Sequence, residues 1–303
     1  MLDQVTDNKR RSALLLAAFV VVVAAVASAA NAVIGGGVAG LVGALAVAGA
    51  VALAGYRLSD TVALAVSHAR PADPKAHARL HNVVEGLCVA AGLPKPAVYV
   101  IEDDALNAFA TGRDQRHAAL AVTTGLLAAM SRVELEGVLA HELSHVKGLD
   151  ISLSTVAVTT VGLVALASEW SLRFRRWGGP RHGDEQHPGR SWPAAVLAAP
   201  GYLLLPLAAV AARLMRLAVG RRRELAADLM GVSLTRYPPG LVSALEKLRE
   251  GDTVVHSASP ATAHMWIESP IATDRSQGGH GWLARQFDTH PPIDQRIQAL
   301  REL

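Results

Sequence analysis

Residues 141–145 read His-Glu-Leu-Ser-His, a pentad whose residue types and spacing can build a metal-dependent hydrolase. On an α-helix, positions i and i+4 share one face, so His141 and His145 would present two imidazoles to one metal ion. Glu142 would lie beside the metal rather than on it, where a carboxylate can take a proton from a metal-bound water. The alternative is a surface helix with two solvated histidines. The pentad therefore predicts a zinc hydrolase with Glu142 as its general base.

The sequence around the pentad predicts the helix that this chemistry needs. Ser131 is a typical N-cap residue, and Glu134 follows it at the spacing of a capping box. Apolar residues then recur at helical spacing through the segment, and Gly148 provides a stop at its C-terminal end. We therefore expect a helix over residues 132–147 with both histidines on one face.

Two histidines do not complete a catalytic zinc site, which usually has three protein ligands and a water. The best candidate for the third ligand is Glu224, which lies in a helix-like segment behind three arginines. Asp228 is one helical turn further on the same face, where its carboxylate could hydrogen-bond a ligand histidine and fix its tautomer. The spacing leaves open a second interpretation, in which both are solvated acids near an arginine cluster.

The composition indicates a membrane protein. Of the 303 residues, 51% are hydrophobic and 4% aromatic, and the mean hydropathy is +0.27. Residues 12–34 and 38–56 carry no charge, and each has about the length that crosses a bilayer. Gly35–Gly37 join them, so they predict a transmembrane hairpin. Residues 151–168 and 193–212 are also uncharged and predict a second hairpin, with buried core helices as the alternative.

Basic residues near the ends of the spans predict the orientation, because cytoplasmic loops are enriched in lysine and arginine. With four spans, the basic residues at 9–11, Arg57 and the arginines of 213–223 lie on one side, which is therefore cytoplasmic. Five arginines in the loop 169–192 would lie outside, against the rule. The net charge of +3 fits arginines near anionic lipid, and no interleaving of basic and aromatic residues predicts a nucleic-acid partner.

The predicted elements form a mainly α fold with a small β element beside the pentad helix. Residues 60–91 are predicted to be helical, and residues 97–101 and 118–123 have the apolar composition of short strands. Pro291 and Pro292 are predicted to begin a last helix, capped by Thr289 or His290.

The catalytic domain is predicted to be one unit that the second apolar segment interrupts. The expected divisions are a cytoplasmic tail at 1–11, a transmembrane hairpin at 12–56, a first catalytic part at 57–150, a second hairpin at 151–212 and a second catalytic part at 213–303.

The chain resembles the HtpX-type membrane zinc proteases of the M48 peptidases, relatives of the Ste24 CAAX-processing endopeptidases. The similarity covers roughly residues 100–303 and rests on five segments in the order of that family's motifs. These are residues 107–112 (NAFATG), 138–150 around the pentad, 222–228 (RRELAAD), 259–271 (SPATAHMWIESPI) and 287–297 (FDTHPPIDQRI). Leu225 stands where an aromatic is common and Ser259 where Asn is common, and neither departure touches the metal chemistry.

This resemblance implies a zincin-like protease domain with one Zn²⁺ per chain and Glu224 as the third zinc ligand. It also implies that His290 donates to the oxyanion of a tetrahedral intermediate, with a helix N-cap as the alternative role. Arg296 would bind the substrate backbone or brace His290. Asn107, at the end of a strand candidate, would hold an extended peptide by its amide.

We therefore expect a zinc-dependent endopeptidase in the inner or plasma membrane, with its active site facing the cytoplasm. The resemblance implies polypeptide substrates, namely misfolded or damaged membrane proteins, and a role in stress response. One alternative is a narrow-specificity CAAX-type peptidase, which predicts an intramembrane chamber that four spans are too few to enclose. Another is a non-catalytic zinc-containing scaffold, which would not need a general base such as Glu142.

Overall fold

The computed structural model of the chain describes residues 35–149, 151–152, 221–258, 262–270 and 291–303, together with isolated positions before residue 35. This part is mainly helical with one small sheet, as predicted. In chain order its elements are α1 Gly37–Val66, β1 Arg70–Pro71, α2 Ala78–Ala91, β2 Ala97–Ile101, β3 Ala108–Gly112, β4 Ala118–Thr123, α3 Thr124–Ala129, α4 Arg132–Gly148, α5 Arg221–Thr235, α6 Pro238–Glu250 and α7 Ile293–Arg301, with single 3₁₀ turns at Gln115–His117 and Ala263–Met265.

The four strands form one sheet in the order β1-β2-β4-β3. β2 runs parallel to β4, whereas β1 and β3 are antiparallel to their neighbours. β4 is buried along its whole length because both faces of the sheet are covered. Leu120 and Val122 point into the main core with the helices, and Ala119 and Ala121 point into a second cluster on the opposite face. This alternation follows the period of two in a strand.

Helix α4, which carries the pentad, is the centre of the main core. Leu135, Leu139 and Leu143 are completely buried, and the helix packs against α2, α5, α6 and β3. A helix that is apolar on most sides is stable only when other elements cover it. Gly231 of α5 lets that helix approach closely, since a Cβ atom there would lie 3.0 Å from the backbone nitrogen of His141.

The capping box that the sequence predicts at the start of α4 is confirmed. The Ser131 backbone N–H donates to Glu134 Oε2 at 2.7 Å, and the Glu134 N–H donates to Ser131 Oγ at 3.4 Å. Glu134 also accepts hydrogen bonds from Ser243 Oγ at 2.6 Å and from Lys247 Nζ at 2.7 Å, both on α6. Burial raises the pKa of Glu134, but these donors, Lys247 above all, outweigh it and hold the pKa at about 2.

Two predicted helix boundaries differ from the structure. The single helix predicted over residues 60–91 is wrong, because α1 ends at Val66 and α2 begins at Ala78. The intervening chain contains Pro71 and Pro74, which cannot donate a backbone hydrogen bond. Helix α4 ends as predicted near Gly148, but the residue in the left-handed conformation is Leu149, with φ of 58°.

The predicted membrane segments lie largely outside the described residues. Residues 12–34 are described only at isolated positions, 151–168 only at its first two residues, and 193–212 not at all. Within the residues that the structure describes, no helix is both long and apolar enough to cross a bilayer.

Replacing Glu134 with Gln should lower the free energy of unfolding by about 2 kcal/mol near neutral pH, because the bonds from Lys247 and Ser243 lose their charged acceptor. The pKa of Glu134 lies at about 2 in the fold, below its ordinary value of 4.5. Its stabilisation is therefore present above the ordinary value and is lost as the pH falls from about 4.5 towards 2.

Chemical denaturation of both proteins in detergent near pH 7 and near pH 3 measures this effect, and the difference should shrink at the lower pH. Glu136→Gln, two residues along the same helix, is the control. Equal stability of wild type and Glu134→Gln near pH 7 would contradict the prediction.

Candidate metal centre

Helices α4 and α5 bring the three predicted metal ligands together. His141 and His145 lie one turn apart on α4, with their Nε2 atoms 3.2 Å from each other. Glu224 reaches them from α5, with Oε2 3.7 Å from His141 Nε2 and Oε1 3.6 Å from His145 Nε2. One ligand atom from each of the three residues lies within 4.8 Å of the others. The three side chains therefore surround a single point.

The spacing of these atoms fits a zinc ion. Zinc–nitrogen bonds of about 2.0–2.1 Å place two nitrogens of a tetrahedron about 3.3 Å apart, and the two histidine nitrogens are 3.2 Å apart. The imidazole rings meet at an angle of 84°, edge to face, so they do not stack on each other. Two histidine nitrogens and one carboxylate are also a common donor set of catalytic zinc.

Asp228 lies on the outer nitrogen of His141, where the sequence predicted a carboxylate. His141 Nδ1 donates to Asp228 Oδ1 at 2.8 Å. This bond places the proton on Nδ1 and leaves the Nε2 lone pair directed at the other ligands. Burial lowers the pKa of His141, and the opposing effect of Asp228 does not offset it, so the imidazole is neutral, the form that binds a metal.

Arg296 donates its hydrogen bonds to groups inside the protein. Its side chain is completely buried. Nε donates to Asp228 Oδ2 at 2.9 Å, Nη2 donates to Asp228 Oδ1 at 2.7 Å, and Nη1 donates to the Ile267 carbonyl at 3.0 Å. The sequence did not predict these contacts, and the predicted contact of Arg296 with the substrate backbone or with His290 stays a prediction.

The Asp228–Arg296 ion pair determines the charge state of this part of the site. Burial raises the pKa of Asp228, but the Arg296 guanidinium and His141 outweigh it and hold the pKa at about 2. Burial lowers the pKa of Arg296, but Asp228 and Glu224 outweigh it, so that pKa is raised above its ordinary value. Both groups are therefore charged at neutral pH.

Asn107 connects the start of β3 to the chain that follows α6. Its side chain is completely buried, and Nδ2 donates to the carbonyls of Thr253 at 3.0 Å and Glu268 at 3.1 Å. These two bonds use both amide hydrogens. The sequence did not predict them, and the predicted role of Asn107 in peptide binding stays a prediction.

Two predicted catalytic residues remain. Glu142 is buried on α4, directly after the ligand His141, with 1% of its surface exposed. His290 lies outside the described residues. The alternative role of His290 or Thr289 as a helix cap is wrong, because the N-cap of α7 is Pro292.

The sequence analysis named residues 259–271 as part of the resemblance but assigned them no place beside β3. The Ile267 N–H donates to the Ala108 carbonyl at 2.9 Å, and Phe109 forms a bridge with Trp266. The two aromatic rings meet edge to face with their centroids 4.7 Å apart. The signal in the sequence was the apolar run Met265, Trp266 and Ile267 within that segment.

The chain is similar to known proteases over most of its length. The model of the family described as Peptidase family M48 matches residues 74–303. A Protease HtpX homolog of Caldanaerobacter subterraneus subsp. tengcongensis is 42% identical over 248 residues, which are 82% of this chain and 79% of that protein. A Protease HtpX homolog of Streptococcus thermophilus is 36% identical over 305 residues, the full length of both.

Among solved structures, Ste24p of S. mikatae aligns with a TM-score of 0.45 and 20% identity. The alignment covers 82% of this chain and 55% of that chain, so this chain spans little more than half the length of Ste24p.

Replacing Glu224 with Ala should abolish stoichiometric zinc binding, because it removes the only carboxylate among the three candidate ligands. Asp228→Asn should weaken zinc affinity less, by about 10–100-fold, because it alters only the partner of a ligand. Metal analysis of the purified variants after dialysis against a weak chelator measures both effects, with the exposed Glu250→Ala as the control. Loss of zinc in Asp228→Asn but not in Glu224→Ala would show that the two roles are reversed.

Proposed function

The chain belongs to peptidase family M48 and is a metalloprotease, and from that premise we propose that it is a zinc-dependent endopeptidase anchored in the inner or plasma membrane. The observation that carries the proposal is the convergence of His141, His145 and Glu224 on one point, with the buried Glu142 directly beside the first of them. Glu142 also separates this proposal from the scaffold alternative, because a structural zinc site needs no general base.

Each residue of the site has a separate role in peptide hydrolysis. His141, His145 and Glu224 would hold the ion. Zinc, when bound there, would supply a Lewis acid for the scissile carbonyl and would lower the pKa of the attacking water. Glu142 takes the proton of the attacking water and delivers it to the leaving amine. Asp228 Oδ1 holds the Nδ1 proton of His141 and so keeps that ring in the orientation that binds the metal.

The edge of strand β3 is the site that we propose for the substrate backbone. In an antiparallel ladder, successive residues alternate between facing the partner strand and facing away from it. Asn107 faces β4, because its carbonyl accepts from the Thr123 N–H, and the Ala108 carbonyl faces away and accepts from Ile267. The same alternation directs the N–H and C=O of Ala110 to the outer edge, beside helix α4. The bridge between Phe109 and Trp266 engages the Ala110 N–H there, so the Ala110 carbonyl is the group that we propose for the substrate backbone. An extended peptide can add to such an edge through main-chain bonds, with little demand on its sequence.

Membrane anchoring is supported by the surface of helix α1. The uncharged residues 38–56 fall within this helix, and Val38, Val42 and Val47 are 79%, 60% and 64% exposed. Large apolar side chains exposed in a row are typical of a surface that another apolar phase covers. The same helix continues to Ala63 and Leu64, which are buried in the second cluster beneath the sheet.

This continuity keeps the catalytic domain near the bilayer. Ten helical residues, 57–66, separate the uncharged segment from the end of α1, a rise of about 15 Å. Membrane proteins with extended or damaged cytoplasmic segments are therefore the substrates that we propose, because their chains lie within reach of the site.

The second apolar segment must return the chain to the side from which it left. The ligands of one metal ion lie on α4 and α5, which residues 149–220 separate in sequence. An odd number of membrane crossings between them would put His141 and Glu224 on opposite sides of the bilayer. We propose two crossings, at 151–168 and 193–212, with the loop 169–192 outside.

Glu142→Gln should retain zinc but lose peptide cleavage by at least about 10²–10⁴-fold, because the amide cannot accept the proton of the water. Cleavage of an unfolded protein substrate by the purified, zinc-loaded protein in detergent measures the activity, and metal analysis of the same sample measures the zinc. Glu136→Gln is the matched control on the same helix and should retain both. Cleavage by Glu142→Gln at the wild-type rate would end this assignment of the general base.

Ser191→Cys in a Cys88→Ala background tests the proposed topology. Cys88 is buried, with 3% of its surface exposed, and its removal leaves the introduced thiol as the only one in the chain. If the loop 169–192 is outside, an impermeant thiol reagent should label this variant in intact cells. Labelling only after the cells are opened would show instead that residues 151–212 do not cross the membrane.

A further inference from the structure

The guanidinium of Arg296 contacts both the metal centre, through Asp228, and the segment beside strand β3, through Ile267. Arg296 lies on the C-terminal helix α7, which packs against α5 and α6, and Ile297 and Leu300 anchor that helix in the main core. The arginine side chain is completely buried between the metal centre and the segment 262–270. The resemblance to the HtpX-type proteases did not imply this position.

On the metal side, Arg296 fixes the carboxylate that orients His141. Nε and Nη2 donate to the two oxygens of Asp228 at 2.9 and 2.7 Å. A planar guanidinium that binds both oxygens fixes the plane of the carboxylate. Asp228 Oδ1 in turn accepts the Nδ1 proton of His141 at 2.8 Å. Arg296 therefore acts on the orientation of the ligand ring through Asp228.

On the substrate side, the third bond of Arg296 leads to strand β3. Nη1 donates to the Ile267 carbonyl at 3.0 Å, and the Ile267 N–H donates to the Ala108 carbonyl at 2.9 Å. Ala108 is the first residue of β3, two positions before Ala110, whose carbonyl faces the proposed substrate. Two hydrogen bonds thus connect the guanidinium to the strand edge.

We propose that Arg296 is a positioning residue that fixes the metal ligands relative to the peptide-binding edge of β3. The proposal rests on the proposed function, because the β3 edge matters only if it binds substrate. The role suits arginine, whose rigid planar fork can donate to Asp228 and to Ile267 at the same time. Lysine has the same charge, but all of its N–H groups lie on one nitrogen, so it cannot reproduce the separate donor atoms of the guanidinium.

Arg296→Lys tests the proposal because it retains the positive charge. Arg301→Lys is the control, because it makes the same change at an exposed position of the same helix, where Arg301 pairs with Glu246. Zinc affinity is measured by competition with a chelator, and the geometry of the metal site by the visible spectrum of the Co²⁺-substituted protein. For Arg296→Lys we expect zinc affinity to fall by about 10–100-fold, the Co²⁺ spectrum to change, and KM for an unfolded protein substrate to rise at saturating zinc. Arg301→Lys should match wild type in all three.

Asp228→Asn tests the bonds between Arg296, Asp228 and His141, the metal branch, separately from the bond between Arg296 and Ile267. This substitution alters the metal branch, and Arg296 keeps the Nη1 donor that bonds the Ile267 carbonyl. We expect it to reduce zinc affinity with KM near the wild-type value, whereas Arg296→Lys should change both. Wild-type zinc affinity and KM in Arg296→Lys, or the same losses in Arg301→Lys, would overturn the proposal.

If Arg296→Lys fails to fold, the double variant Asp228→Asn/Arg296→Gln removes both buried charges together. Because Arg296 acts on the metal through Asp228, the double variant should lose no more zinc affinity than Asp228→Asn alone, and its KM should rise. Additive losses of zinc affinity would overturn the proposal.

A zinc-loaded wild-type protein that cleaves no peptide would refute the proposed function instead. Zinc affinity and the Co²⁺ spectrum of the variants would still decide whether Arg296 positions the metal ligands.

Discussion

A buried network of charges inside an apolar core is the constraint on which the rest of the structure depends. Asp228 and Arg296 are 1% and 0% exposed, and burial of each charge alone would cost several kcal/mol. Their paired bonds offset that cost, and His141 and the Ile267 carbonyl occupy further hydrogen-bonding positions. The core can contain this site only when α4, α5 and α7 dock in one arrangement, because any other arrangement leaves a buried charge unpaired.

The network also explains why the metal-binding helix is the centre of the core and not a surface element. On α4, completely buried leucines alternate along the helix with His141 and Glu142, which are almost completely buried. Water is therefore excluded from all but the open side of the site, where His145 is more exposed than His141. Exclusion of water strengthens the hydrogen bonds that orient the ligands. It also lowers the pKa of His141, which keeps the imidazole neutral.

The sequence predicted those features that depend on neighbours along the chain. The capping box of Ser131 and Glu134, the pentad helix and the strands at 97–101 and 118–123 are local patterns, and the structure contains all of them. The contacts of Arg296 and Asn107 were not predicted because long polar side chains take their partners from distant segments. Asn107 contacts the carbonyls of Thr253 and Glu268, and no periodicity or spacing in the sequence indicates that contact.

The groups that form the metal centre and its buried network are far apart in the sequence. The pentad lies near the middle of the chain, Glu224 and Asp228 follow after residues 149–220, and Arg296 lies seven residues before Leu303. Until α7 docks, Asp228 lacks its buried counter-charge and the orientation of His141 is not fixed. A metal centre whose ligand orientation depends on α7 is therefore complete only after α4, α5 and α7 have docked together.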